Sequence, residues 1–177
     1  MKNQFSIIVL LSLFLGFGAC KKTNLTPPPE VIDNYMIFTA DQVKVEARFK
    51  VILQDEIFNG YFKDTKTIQM QRYMENGNPQ RLIFKIERID LANTTFPVTI
   101  KYSIDQGEPT VGVTYVDVNN LTFGTNINNP DDFTLTLTGY ENNLLQGTYA
   151  GNLFSGITTH PKVEITNGEL NIELVTY

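Results

Sequence analysis

The strongest constraint on this chain is that apolar residues fall on every second position, in short runs that turn residues keep cutting off. Val43, Val45, Ala47, Phe49 and Val51 alternate with Lys44, Glu46, Arg48 and Lys50. A period of two belongs to a strand with one buried and one wet face, and no long 3.6-residue period competes with it. The alternation returns at Leu82, Phe84 and Ile86, at Val98, Ile100, Tyr102 and Ile104, at Val111, Val113 and Tyr115, and at Phe133, Leu135 and Leu137. Gly, Pro, Asn and Asp interrupt it about every eight to twelve residues, the spacing of an all-β domain. The 20 Thr and 17 Asn of the 177 residues fit the same reading.

The turn residues give a provisional order of elements. Asn59-Gly60 reads as a turn, followed by a strand with Ile68, Met70 and Met74 on one face, and Asn76-Gly77-Asn78-Pro79 closes a hairpin onto Leu82. Asp105 to Pro109, Asn119-Asn120 and Gly139 to Asn143 mark further reversals, and the stretch from Asn126 to Asp132 is too polar to bury. Gly147 and Gly151 allow a kink or a close backbone approach. Asn167-Gly168, between Val163 with Ile165 and Leu170 with Ile172 and Leu174, predicts the clearest hairpin. Thr39 to Gln42 could instead form a capping box, so a short helix there competes with the strand. Short connections force antiparallel pairing, and about nine or ten strands bury one face each most simply as a β-sandwich. An up-and-down, calycin-like β-barrel with an internal cavity is the alternative. A transmembrane barrel is excluded, because Lys, Glu and Arg occupy the outward positions.

Composition narrows the function classes. With 42 % hydrophobic residues, 12 Phe and 8 Tyr, the chain can form a core and is not a disordered tail. The formal charge of -5 would repel a phosphate backbone, so no nucleic acid partner is expected. One Cys and one His exclude a Cys/His zinc cluster or a disulfide framework made by this chain alone.

The amino terminus carries the sharpest signal of location. Lys2 is followed by an apolar run from Phe5 to Phe17 that ends in Gly18, Ala19 and Cys20. As a helix that run rises roughly 20 Å, short of the roughly 30 Å hydrocarbon slab, which is the pattern of a leader and not of a span. Phe17-Gly18-Ala19-Cys20 resembles the lipobox of bacterial lipoproteins, with Phe17 where that family usually has Leu. The resemblance implies cleavage before Cys20, a diacylglycerol on its thiol and a third acyl chain on its freed amine. One acyl chain binds membranes only marginally, whereas three on one residue hold essentially permanently. Residues 1–19 are then the signal peptide, and loss of Lys2 leaves 13 Lys plus Arg against 19 Asp plus Glu, a formal charge of -6. Residues 20–33 form the lipidated cysteine and a tether stiffened by Pro27, Pro28 and Pro29, and residues 34–177 form a single domain. Lys21 and Lys22 can sit against anionic headgroups or simply stay solvated. The segments around Leu145 to Gly151 and Lys162 to Leu170 resemble the ending of small all-β lipoproteins grouped as domains of unknown function, a resemblance that implies a fold and a location but no activity.

Chemistry is sparsely signposted. His160, the single histidine, lies in a loop with no nucleophile or orienting carboxylate placed nearby by the sequence. No GxSxG, GxxxxGKS or HExxH motif occurs. Asp117, Asn119 and Asn120, and then Asn126, Asn128, Asp131 and Asp132, resemble the opening of calcium loops without their later ligands, so they read as turns. Asp55-Glu56 and Asp131-Asp132 are neighbours in turns, where adjacent carboxylates diverge and do not face each other across a scissile bond. With no Trp, the phenols of Tyr61, Tyr73, Tyr115, Tyr140 and Tyr149 are the aromatic candidates for a glycan platform. Each reads better as a strand residue with a buried ring and a wet hydroxyl, Tyr102 being core-like and Tyr177 terminal.

The expectation is an exported lipoprotein, held in the membrane through its N-terminal acyl chains at Cys20, with no catalytic residues, no metal and no cofactor. It would present an all-β binding or assembly module to a protein or glycan ligand. The outer membrane facing the periplasm is the expected location, with the cell surface as the alternative. A periplasmic carrier with a small apolar ligand inside a barrel is the competing function.

Overall fold

The computed structural model describes residues 34–49, 59–73, 80–156, 159 and 161–177. Among them run twelve strands, more than the nine or ten expected: β1 (Asn34–Ala40), β2 (Val43–Phe49), β3 (Asn59–Phe62), β4 (Thr67–Tyr73), β5 (Arg81–Glu87), β6 (Val98–Lys101), β7 (Thr110–Val116), β8 (Thr122–Gly124), β9 (Phe133–Glu141), β10 (Leu144–Phe154), β11 (Lys162–Glu173) and β12 (Val175–Thr176). Cys20, the tether, Asp55-Glu56, the Asn76 to Pro79 turn and His160 lie outside the described residues. No helix among the described residues is long and apolar enough to cross a membrane.

One layer runs β2-β1-β11-β10-β9-β6 and the other β12-β3-β4-β5-β7-β8, joined where Phe154 pairs with Gly124. The layers pack face to face through aromatic rings. Phe38 of β1 meets Tyr115 of β7 edge-on at 5.5 Å, and Phe84 of β5 meets Tyr149 of β10 at 5.0 Å and Phe133 of β9 at 6.2 Å. The result is the expected β-sandwich. The alternative barrel is not formed, because β12 and β2 end the sheet path without pairing to each other, so the enclosed lumen of the carrier reading has no barrel to sit in.

Most of the alternating residues fall where period two puts them, although Val43, beside the turn that opens β2, is exposed while Val45 is buried. Leu82, Phe84, Ile86, Val111, Val113, Leu135 and Leu137 are all buried. Several local expectations are overturned. Residues 34 to 40 form strand β1, with Met36, Phe38 and Ala40 buried, and the capping-box helix gives way to a hairpin. Asp41 and Gln42 both take positive φ, 43° and 72°, the twist-matched geometry of a two-residue β-hairpin. Asp41 donates its N–H to the Glu164 carbonyl and accepts the Glu164 N–H on Oδ1, so β11 holds this turn in place. Asn59-Gly60 is the start of β3, paired to β4, and not a turn. The alternation from Val98 stops at Ile100, and Ile104 is exposed. Pairing is antiparallel except for β12, which lies parallel on β3.

The largest correction concerns β11. It is one unbroken strand and not a hairpin. Its inward positions change phase, Val163 and Ile165 before Asn167 and Leu170 and Ile172 after, and one extra residue must absorb the slip. Asn167, at φ 51°, is that residue: the register against β10 shifts between Tyr149↔Gly168 and Gly151↔Ile165, and against β1 between Ile37↔Glu169 and Thr39↔Thr166. A β-bulge therefore does the work assigned to a turn. Gly168 has to be glycine, since a Cβ there would run into the carbonyl and the ring of Tyr149. Gly151, at φ 136°, lets the Asp132 carbonyl approach as closely on the other side of β10.

Candidate functional site

At one end of the first layer a cleft of about 520 Å³ opens between two loops. Its floor is the end of β6, where Thr99 and Lys101 project outward while Ile100 points into the core. One wall is the segment that leads from β6 to β7. Ser103 donates its N–H to Thr110 Oγ1 at 2.7 Å, Ser103 Oγ accepts from the Asp105 N–H, and Asp105 Oδ1 accepts from Gly107. Arg88 braces this wall by donating from Nε to the Glu108 carbonyl at 2.6 Å. The opposite wall is the polar loop before β9. Asn126 accepts Asn128 N–H on its side chain and Asn129 N–H on its carbonyl, and Pro130 to Asp132 form a single 3-10 turn.

The two walls meet at an ion pair, Lys101 Nζ to Asp131 Oδ1 at 2.8 Å. Both partners are well exposed, so water screens the pair and it is worth at most about 1 kcal/mol. What distinguishes the cleft is its apolar lining. Ile104 is 66 % exposed and Ile127 55 %, with Tyr102, Pro109 and Pro130 beside them. A mixed cleft of this volume is in the range of ligand sites, where apolar contact supplies affinity and a few polar groups set orientation.

The cleft has a definite position in the domain. β1 begins at Asn34, next to the end of β11 and the start of β10, while Lys101 and Phe133 lie at the opposite ends of β6 and β9. At about 3.3 Å per residue, a β9 of nine residues separates the two ends by roughly 30 Å. Asn34 and the cleft thus lie at opposite ends of the first layer.

A second, shallower depression of about 390 Å³ lies on the outer face over the β11 bulge. Thr134, Thr136 and Thr148 line it together with Glu169, and Thr136 shares a hydroxyl hydrogen bond of 3.1 Å with Thr99.

The residues singled out from sequence are scattered. Asp117 accepts the N–H groups of Asn119 and Leu121 on Oδ1, both at 2.8 Å, which is turn chemistry, and among the described residues no three His, Cys, Asp or Glu side chains converge as metal ligands. Asp131 and Asp132 sit in the exposed 3-10 turn, Asp131 facing Lys101. Tyr61, Tyr115 and Tyr149 bury their rings, but their hydroxyls are not wet. Tyr61 bridges the Ile89 carbonyl and the Leu91 N–H, Tyr115 accepts from Gln80 Nε2 at 2.9 Å, and Tyr149 donates to the Ile37 carbonyl. Burial pushes the Tyr115 hydroxyl above its usual range and the Tyr149 hydroxyl well above it. Tyr140 keeps its hydroxyl at the surface on Asn143; of Tyr73 only its place in β4 is described. The cleft itself was not assembled from sequence. Ile127, a lone apolar residue in an otherwise polar loop, was the available signal.

A scan against protein-family models, a search of curated proteins and a search of solved structures each find no match for this chain.

Proposed function

We propose that the chain is an exported lipoprotein, anchored through acyl chains on Cys20, that displays the sandwich as a non-catalytic binding module whose partner sits in the cleft of Ile104 and Ile127. The observation that carries this reading is the cleft's position. Exposed isoleucines cost solubility and are rarely gathered in a concavity without a partner, and this concavity opens at the end of the domain away from Asn34. A tether from Cys20 would hold the domain off the lipid surface. The resemblance of Phe17-Gly18-Ala19-Cys20 to a lipobox and the three consecutive prolines supply the anchor and the spacer. The acidic balance argues for a protein or glycan partner over a nucleic acid. Detergent phase partitioning of the exported chain and of a Cys20→Ser variant tests the anchor. The native chain should enter the detergent phase and the variant the aqueous phase; equal partitioning of both would refute it.

A further inference from the structure

The end of β6 forms the floor of the cleft, and two independent features meet there. The first is unpaired backbone. Among the described residues β6 pairs with β9 on one side only, and no other hydrogen bond reaches the backbone of Val98 to Lys101. In an antiparallel ladder alternate residues turn both N–H and C=O away from the partner, so two of these four residues have a donor and an acceptor that β9 does not use. The second is the exposed pair Ile104 and Ile127, which line the cleft whose floor is formed by Thr99 and Lys101.

We infer that this edge and the cleft together take an extended peptide segment of a partner protein, which adds to β6 as a further strand and places apolar side chains against Ile104 and Ile127. Backbone pairing supplies the main-chain affinity, and side chains on one face of the added strand supply selectivity. A period of two sets which side chains those are. Charge narrows the partner further. Glu108 and Asp131 line the cleft, Asp105 and Asp132 belong to the same two wall loops, and Lys101 is the cation of the lining, so the segment should carry Lys or Arg beside its apolar residues. The inference rests on the cleft being a binding site, and it does not depend on the acyl anchor.

The test uses the isotope-labelled full chain in detergent micelles and a synthetic peptide of alternating Ile and Thr with Lys at both ends. Titration to millimolar peptide should shift the amide resonances of Val98 to Lys101 together with those of Ile104 and Ile127. Two further peptides, N-methylated on alternate residues in the two possible phases, separate backbone pairing from simple apolar adhesion. One phase should bind like the parent and the other should lose at least tenfold in affinity. Ile104→Asp, at an exposed position, should weaken the parent peptide at least tenfold and leave the rest of the spectrum in place. If both methylated peptides bind like the parent, the cleft is a binding site but strand addition is wrong. If no resonance of β6 moves, the inference fails whatever the anchor experiment gives.

Discussion

Deleting Asn167 probes the feature that sets the register of β11 against both of its neighbours, β1 and β10. With the extra residue gone, β11 becomes an uninterrupted period-two strand and can keep only one half in phase with the core. Either Leu170, Ile172 and Leu174 turn outward, or Val163 and Ile165 do; all five are buried. Each such side chain is worth about 1.5–3 kcal/mol when fully buried, so the lesser slip, of two residues, forfeits about 3–6 kcal/mol. That approaches the 5–15 kcal/mol by which domains are stable at all, so the deletion should leave the protein marginal or unfolded. Urea unfolding followed by far-ultraviolet circular dichroism measures it, since the chain has no Trp to report by fluorescence. Asn167→Gly is the control. It keeps the left-handed residue at φ 51° and should change stability by less than about 0.5 kcal/mol. A deletion variant within about 1 kcal/mol of the parent would refute the phase argument, because no slip of β11 that exposes two core residues could be so mild.

The remaining predictions follow from packing and charge. Phe84→Ala removes a fully buried ring that meets both Tyr149 and Phe133 across the layers, and should destabilise by about 3–5 kcal/mol in the same assay. The Tyr149 hydroxyl is held well above its usual pKa of 10.0 by burial, so its contribution to stability is whole below pH 10 and is lost as pH rises through the folded value. Tyr149→Phe should therefore flatten the alkaline fall in stability, seen as a smaller drop in urea midpoint above pH 10; an unchanged fall would show the shift to be absent. Lys101→Ala breaks only the exposed pair with Asp131 and should lower stability by less than about 1 kcal/mol, with a circular dichroism spectrum like the parent's.

How far the fold was legible depended on whether one strand's own pattern decided the matter. β5, β7 and β9 were legible because each carries its alternation unbroken, and the inward residues Leu82, Phe84, Val113 and Leu137 are buried as read. β11 misled because a phase slip with Asn-Gly at its centre has two physical solutions, a reversal or a bulge. Only the neighbours on both sides choose between them: β1 and β10 pair with both halves. Asn59-Gly60 misled for the same reason, its turn propensity being overridden by pairing with Gln69 and Met70. At the site, Lys101 and Asp131 are thirty residues apart and join only because β6 pairs with β9, a contact no local pattern encodes. The alternation from Val98 puts Ile104 inward, but β6 ends at Lys101, and beyond it Ser103 bonds Thr110 and the ladder stops. Arg72 was unforeseen altogether. It follows Ile68 and Met70 on the core side of β4, and burial draws its guanidinium well below its usual range, to about 10.

Intact-mass spectrometry of the chain purified from its native membrane bears most directly on the proposed anchor. A mass equal to residues 20–177 plus a diacylglycerol thioether and one amide-linked acyl chain is the predicted result. A mass beginning at Met1, or a processed chain whose Cys20 thiol is bare, would contradict it.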